Sequence, residues 1–329
     1  MQDQDMDILK KKVLNVSDTD FDELALSVFH FQAQNCHVYN QFLAHLKIDI
    51  HSIDSVEKIP CLPISLFKNN DIYSINSKAE HIFLSSGTGN EKRSKHLVFD
   101  LDFYHKNCQI NFENHFGSLK DWVIIAILPS YLEQKNASLI SMMKHFIEQT
   151  GHEYSGYYTV DEPKINDIIK KFSHKKVLIF GVTYAILELA SNNVLDYKHM
   201  YIMETGGMKG RGKELIREDL HVKLNKSFKP NQILSEYGMT ELCSQAYSLG
   251  NGIFHTGQSM RVMCRNITDP LEKLKNGSTG GLNFIDLANI HTCSFIASDD
   301  IGKTINSSSF KVSGRIDHSN IRGCNLLSF

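Results

Sequence analysis

The feature that most constrains this chain of 329 residues is a recurring unit: a short, continuous apolar run that ends in a loop of Gly, Ser, Thr or Pro. Trp122–Leu128 runs into Pro129-Ser130-Tyr131, Val177–Phe180 into Gly181-Val182-Thr183, and Tyr201–Met203 into Thr205-Gly206-Gly207, often with a helical pattern behind. Strands without a polar alternation are buried on both faces, which calls for helices on either side of a largely parallel sheet. The fold class read from this is α/β. In such sheets ligands bind beyond the strands' carboxyl ends, so the loops are where chemistry is expected.

Flanking regions differ. Phe21 to Leu46 carries Phe21, Leu24, Ala25, Val28, Phe29, Phe31 and Phe42 at helical spacing. Pro60 and Pro63 then favour an extended connection into Ser65-Leu66-Phe67-Lys68. After Lys273 the pattern becomes closely spaced strand candidates, Leu282–Ile285, Thr292–Ile296 and Phe310–Val312. No repeat or flexible linker divides the chain, so one continuous unit is expected: a helical region over 1–80, an α/β core over 81–272, and a β-rich section with a tail over 273–329.

Charge and cysteine content exclude several roles. With 35 Lys and Arg against 37 Asp and Glu the formal charge is -2, which offers no basic excess for a nucleic-acid backbone. The 7 cysteines form no Cys-x-x-Cys pair and read as reduced thiols rather than zinc ligands. Neither a secretory leader nor an apolar run of membrane-spanning length is present, so the cytoplasm is the expected location.

Four segments carry candidate chemistry. Ser85-Ser86-Gly87-Thr88-Gly89-Asn90-Glu91-Lys92-Arg93-Ser94 follows the apolar Ile82-Phe83-Leu84. Its glycines let backbone N–H groups converge, its hydroxyls add donors, and Lys92 and Arg93 add positive charge, a combination suited to phosphate. It lacks the Gly-Lys-Ser/Thr ending of a Walker loop, and a solvated turn between strands is the plain alternative. Ser235-Glu236-Tyr237-Gly238-Met239-Thr240-Glu241 follows Ile233-Leu234, and on its own fits a helix start with Thr240 near its cap and Glu241 in its first turn. Thr205-Gly206-Gly207-Met208-Lys209 is a further loop. Ser298-Asp299-Asp300-Ile301-Gly302 is followed by Gly314-Arg315, and by themselves Asp299 and Asp300 read first as a hairpin turn before Gly302.

Taken together, from Ser85 to Arg315, these segments resemble the core motifs of the adenylate-forming superfamily of acyl-CoA synthetases, luciferases and nonribosomal adenylation domains. The resemblance implies the N-terminal domain of that fold, with ATP and Mg²⁺. It also implies roles: Ser85, Ser86, Gly87, Thr88 and Gly89 around phosphate, Gly206 and Gly207 along the adenine, Tyr237 on its face, and Asp300 on the ribose hydroxyls. Thr240 would meet the α-phosphate, Glu241 would hold Mg²⁺, and Arg315 belongs to the Gly-Arg pair before the family's hinge. Within the superfamily, Met203–Gly210, Ser235–Glu241 and the closing Ile321-Arg322-Gly323-Cys324 are similar to the LuxE-type acyl-protein synthetases. Those enzymes are short, and the mobile C-terminal domain with its lysine is expected to be absent here too, with Lys92 and Lys209 as substitutes to consider.

The same resemblance implies that Cys324 accepts the acyl group. Arg322 beside it favours the reactive thiolate, although a buried structural thiol is the commoner fate of a cysteine. Of the 16 histidines, His96 and His255 lie near the phosphate loop and the Gly257 turn and read first as surface residues. No Gly-x-Ser-x-Gly elbow supports hydrolase chemistry. The expected reaction joins a fatty or similar acid to AMP and passes the acyl group to a thiol, with an acyl-carrier or reductase protein as a possible partner. An acyltransferase that takes its acyl group from a thioester without ATP, or a nonenzymatic acyl- or nucleotide-binding protein, are the alternatives.

Overall fold

A computed structural model describes residues 3–85, 92–129, 136–161, 164–172, 175–192, 199–206 and 215–316. Among these residues the apolar runs lie toward one end of a thirteen-stranded sheet. Gly156–Tyr157, Trp122–Ile127, Lys176–Val182, Met200–Thr205 and Gln232–Tyr237 lie side by side in that order, all parallel. Every side chain of Trp122–Ile127 is buried, and so is every one of Lys176–Val182 except Lys176. That accounts for the missing polar alternation. Helices Ser138–Thr150, Lys164–Lys171, Thr183–Asn192 and Arg217–Phe228 make the crossovers that parallel strands require.

The register aligns the strands' carboxyl ends: Ile127 pairs with Gly181, Val182 with Thr205, and Thr205 with Glu236. Beyond Gln232–Tyr237 the sheet turns antiparallel through Ala246–Ser248, Phe254–Thr256, Ser309–Arg315, Phe295–Asn306, Thr279–Asp286, Met260–Arg265 and Lys273–Leu274. The strand-rich part therefore reaches back to Ala246, ahead of the Lys273 at which the sequence pattern changes. Ala246–Ser248 and Phe254–Thr256 are 3 residues each, too short to show a period, and the 6-residue Met260–Arg265 is buried at all but Met263, so it shows no alternation either. Thr292–Ile296 is a strand only from Phe295, because Thr292 closes a turn onto the carbonyl of Asn289. Asp299 and Asp300 lie within the Phe295–Asn306 strand and not in a turn.

The expected helical region opens with helix Asp3–Leu14, and its apolar Phe21–Leu46 stretch forms Phe21–Asn35 and His37–His45. The Phe21–Asn35 helix buries Phe21, Leu24, Ala25, Val28 and Phe29, the predicted stripe, while Phe31 and Phe42 are only partly covered. Phe29 meets Tyr39 and Phe295 edge-on at 6.2 and 5.9 Å, and Gln32 bonds the carbonyls of Asn289 and Ile290 and the amide of Ser294. The N-terminal helices thus brace the antiparallel half of the sheet. Leu62–Pro63 adds a short parallel strand against Ile296 and Ala297, as the extended reading of the two prolines requires. His81–Leu84 and Lys95–Val98 form a separate two-stranded sheet.

Phe29 is fully buried at this joint. Phe29→Ala is expected to cost roughly 3–5 kcal/mol, from lost transfer energy plus the cavity left behind. Urea unfolding monitored through the single tryptophan, Trp122, measures it. A loss under about 1 kcal/mol would show that the helix does not brace the sheet.

Candidate active site

The polar residues at the aligned strand ends converge with residues from the antiparallel half. Tyr237 ends the last parallel strand, and its ring packs among Phe254, Phe284 and Phe310 at 5.7, 5.5 and 5.2 Å. Its hydroxyl donates to Asp300 Oδ2 at 2.6 Å. Burial, with the Asp300 charge beside it, pushes the phenol well above its usual range. Asp300 pairs across the strands with Arg315, whose guanidinium Nε lies 3.9 Å from Oδ1. Burial raises the Asp300 carboxyl, and the Tyr237 and Arg315 contacts offset part of that rise. Two candidates separated by 63 residues in sequence are therefore in direct contact.

Thr240 and Glu241 lie in a turn immediately after that strand, with Glu241 buried. No helix begins there. Burial raises the Glu241 carboxyl, while a hydrogen bond with Ser94 and the Arg315 charge oppose the rise. Ser94 in turn closes the base of the phosphate-loop candidate: its amide donates to Ser85 Oγ at 2.9 Å and its carbonyl accepts from the Ser85 amide at 3.1 Å. Ser85 and Glu241 are thus joined through one serine. Ser86, Gly87, Thr88 and Gly89 lie outside the described residues, as do Gly207, Lys209, Arg322, Gly323 and Cys324. Lys92 and Arg93 are exposed at the stem.

Sequence reasoning missed what holds this turn. Asp286 accepts from the amides of Cys243 and Ser244, both at 2.8 Å, from Ser244 Oγ at 2.6 Å and from the Ala288 amide at 3.1 Å. Burial lifts its carboxyl to about 6 even so. Asn289 donates to the Glu241 carbonyl at 2.8 Å and accepts from the Cys243 amide at 3.1 Å. Apart from Ala288, these partners lie more than 40 residues away, and no local signal marks them. His96 also needs correction: it is buried, not at the surface, because it lies on the inward side of Lys95–Val98. Burial depresses its ring to about 4. His255 is partly buried and lies 3.0 Å from Ser309 Oγ.

A second polar cluster stands at the ends of the neighbouring strands. Gly206 has φ 64°, a conformation that favours glycine, and its carbonyl accepts from Thr183 Oγ1 at 2.5 Å. Glu204 takes bonds from Thr183 at 3.2 Å and Arg217 at 3.1 Å, and His221 lies 3.9 Å away. Burial opposes its ionisation, yet the His221 and Arg217 contacts prevail and leave its carboxyl below the usual range. Glu236, one strand over, is bonded by Thr205. Burial lifts it to about 7, with the Glu204 charge adding to the rise and the Thr205 bond opposing it. Gly238 passes close by; a Cβ there would sit 2.5 Å from Glu236 Oε1.

The raised Glu236 has a consequence for stability. Between its ordinary 4.5 and the folded value of about 7 the native state binds the extra proton, so this group's contribution turns unfavourable as pH rises through that window. Glu236→Gln is expected to match the native chain near pH 5 and to be more stable by about 2–3 kcal/mol at pH 8. Urea unfolding at both values tests this; a difference that does not change with pH would contradict it.

No family model matches the chain. It is 25% identical over 316 residues to the long-chain-fatty-acid–luciferin-component ligase of Aliivibrio fischeri, covering 85% of this chain and 78% of that protein. A 2-hydroxyisobutyryl-CoA ligase in the postadenylation state matches the fold with a TM-score of 0.62 at 9% identity, over 93% of this chain and 70% of its own. ATP-bound MatB from Rhodopseudomonas palustris matches with a TM-score of 0.53 at 16% identity, over 74% of this chain and 50% of its own. The chain is thus similar in sequence to the first of these proteins and shares its fold with the other two.

Proposed function

We propose that this chain activates a fatty or similar carboxylic acid with Mg-ATP and transfers the acyl group to a thiol. The observation that carries this reading is the convergence of Ser85, Tyr237, Glu241, Asp300 and Arg315, from three separate segments of the sequence, at the carboxyl ends of the parallel strands. The Aliivibrio relative is named as a fatty-acid ligase, and the fold is that of ligases that form acyl adenylates. A carboxylate oxygen of the acid would attack the α-phosphorus while the bond to the β-phosphate breaks and pyrophosphate leaves. A thiolate would then attack the acyl carbon and release AMP.

In this reading the Tyr237 ring faces adenine while its hydroxyl keeps Asp300 aimed at the ribose. Thr240 meets the α-phosphate, the 85–89 loop cradles the phosphates, and Gly206-Gly207 runs along the base. The residues fit a magnesium ion: Glu241 is a buried carboxylate with raised proton affinity, so a cation beside it relieves the cost of its charge. Among the described residues no three metal-binding side chains cluster, so the remaining positions would fall to phosphate and water, as Mg²⁺ usually prefers. Bound there, the ion would neutralise phosphate charge. Cys324 is the proposed acyl acceptor, and an acyl carrier or reductase the proposed onward partner. A cytoplasmic setting belongs to the same reading; the 6 described cysteines are buried and free. Among the described residues no helix is long and apolar enough to cross a membrane.

Purified protein with Mg-ATP and a panel of carboxylic acids is expected to release pyrophosphate only when a suitable acid is present. Glu241→Gln should cut that release by roughly a hundredfold or more. Radiolabelled acid should mark the wild-type chain covalently and leave Cys324→Ser unmarked. Folded protein that releases no pyrophosphate with any acid would overturn the activation step, and label retained in Cys324→Ser would overturn the acceptor.

A further inference from the structure

The segment that crosses behind the Thr240–Glu241 turn carries a regular alternation. Ser94, His96 and Val98 are buried, while Lys95 and Leu97 are half-exposed, so Ser94 and His96 face the same way. Ser94 bonds the Glu241 carboxylate. His96 Nδ1 lies 2.7 Å from the Thr240 carbonyl. A carbonyl oxygen only accepts, so Nδ1 must carry the proton. Nε2 is then the ring's acceptor, 3.3 Å from Thr292 Oγ1 and 4.0 Å from Cys243 Sγ, both of which can donate. Phe67 packs edge-on against the ring at 6.1 Å. Every side of this imidazole is assigned, and nothing in the reaction proposed above uses it.

We propose that His96 is a positioning residue for adenylation, holding the Thr240 carbonyl so that the Thr240 side chain and Glu241 keep their places toward the nucleotide. The inference rests on the acyl-activating reading of the site. A turn has no strand or helix bonds of its own to fix it, and Thr240 and Glu241 are each held from outside. Asn289 bonds the carbonyl of Glu241, and His96 bonds the carbonyl of the residue before it. The two anchors come from opposite parts of the fold: Asn289 from the antiparallel half, His96 from the strand that also closes the phosphate-loop stem through Ser94. His96 therefore couples the position of Thr240 to that of the loop. Displacement of a group acting on the reacting phosphate by about 1 Å is enough to lower a rate about a hundredfold, with smaller effects on ground-state binding.

A small cavity beside the ring, lined by His96, Cys243, Asn289, His291 and Thr292, does not alter this assignment. It borders the anchors, and the Cys243 thiol in its wall is pushed well above its usual range by burial, which makes it a poor nucleophile.

Two amide isosteres test the proposal in the full chain. Asn at position 96 places an N–H where Nδ1 stands; Gln places its N–H toward the Nε2 position, away from the Thr240 carbonyl. His96→Asn is expected to keep kcat for acid-dependent pyrophosphate release within about threefold of wild type, and His96→Gln to lose about tenfold or more. KM for the acid and the calorimetric Kd for Mg-ATP should change less than about threefold in both. A second readout needs no variant to fold: ¹⁵N shifts of the wild-type His96 ring should show Nδ1 protonated and Nε2 bare at neutral pH. Equal kcat in the Asn and Gln variants, or an Nε2-protonated ring, would overturn the positioning role. Absence of pyrophosphate release from wild type itself would instead overturn the acyl-activating reading, and this inference with it.

Discussion

Asp286 is the constraint on which the site depends. Its two oxygens take four donors from Cys243, Ser244 and Ala288, and it has no exposed surface. Such a carboxylate is costly to bury, and the donors offset the cost only if all are in place. That requirement fixes where the chain goes after the last parallel strand: past Tyr237, through the Thr240–Glu241 turn, and onto the end of Thr279–Asp286. Loss of one donor would leave the charge partly unsatisfied, so the turn cannot relax independently of the antiparallel half. The parallel half brings Tyr237 to the site and the antiparallel half brings Asp300 and Arg315. Asp286 and Asn289 set the turn between the two.

The N-terminal helices belong to the same chain of dependence. Gln32 bonds the Asn289 and Ile290 carbonyls and the Ser294 amide, the segment that presents Asn289 to Glu241. Phe29 secures that helix against Phe295. A helical region that reads as a separate opening section is thus mechanically continuous with the turn. Substitutions far from the candidate site are therefore expected to reach it through packing rather than through charge.

How much of this the sequence discloses follows from the range of each interaction. Trp122–Leu128 and Val177–Phe180 are readable as buried strands because double-sided burial erases polar alternation within a few residues. Tyr237 and Glu241 are readable because their motif is contiguous. His96 is not: a lone histidine two residues after Ser94 looks like a surface group, and its partners Thr240 and Thr292 are 144 and 196 residues away. Asp286 and Asn289 sit in an ordinary Asp-Leu-Ala-Asn stretch that any loop would tolerate. The strands Ala246–Ser248 and Phe254–Thr256 escape detection because three residues cannot show a period. What is local in sequence is legible, and what closes the site is not local.

The charge balance of the site bears on the proposed substrate. Glu241 and Asp300 both bind protons more tightly than ordinary carboxylates because they are buried, and Asp299 adds to the rise at each. Arg315 opposes the rise at both, but its side chain is 71% exposed, so solvent weakens its hold. A triphosphate approaching this group of carboxylates brings like charge to like charge. Lys92 and Arg93 stand at the loop stem, exposed and able to meet phosphate, yet they flank the site rather than enter its floor. If Glu241 holds Mg²⁺ as proposed, the cation would supply the positive charge that lets phosphate approach these carboxylates. Ser94 and Arg315 already offset part of the cost of burying the Glu241 charge, and a bound cation would offset more of it.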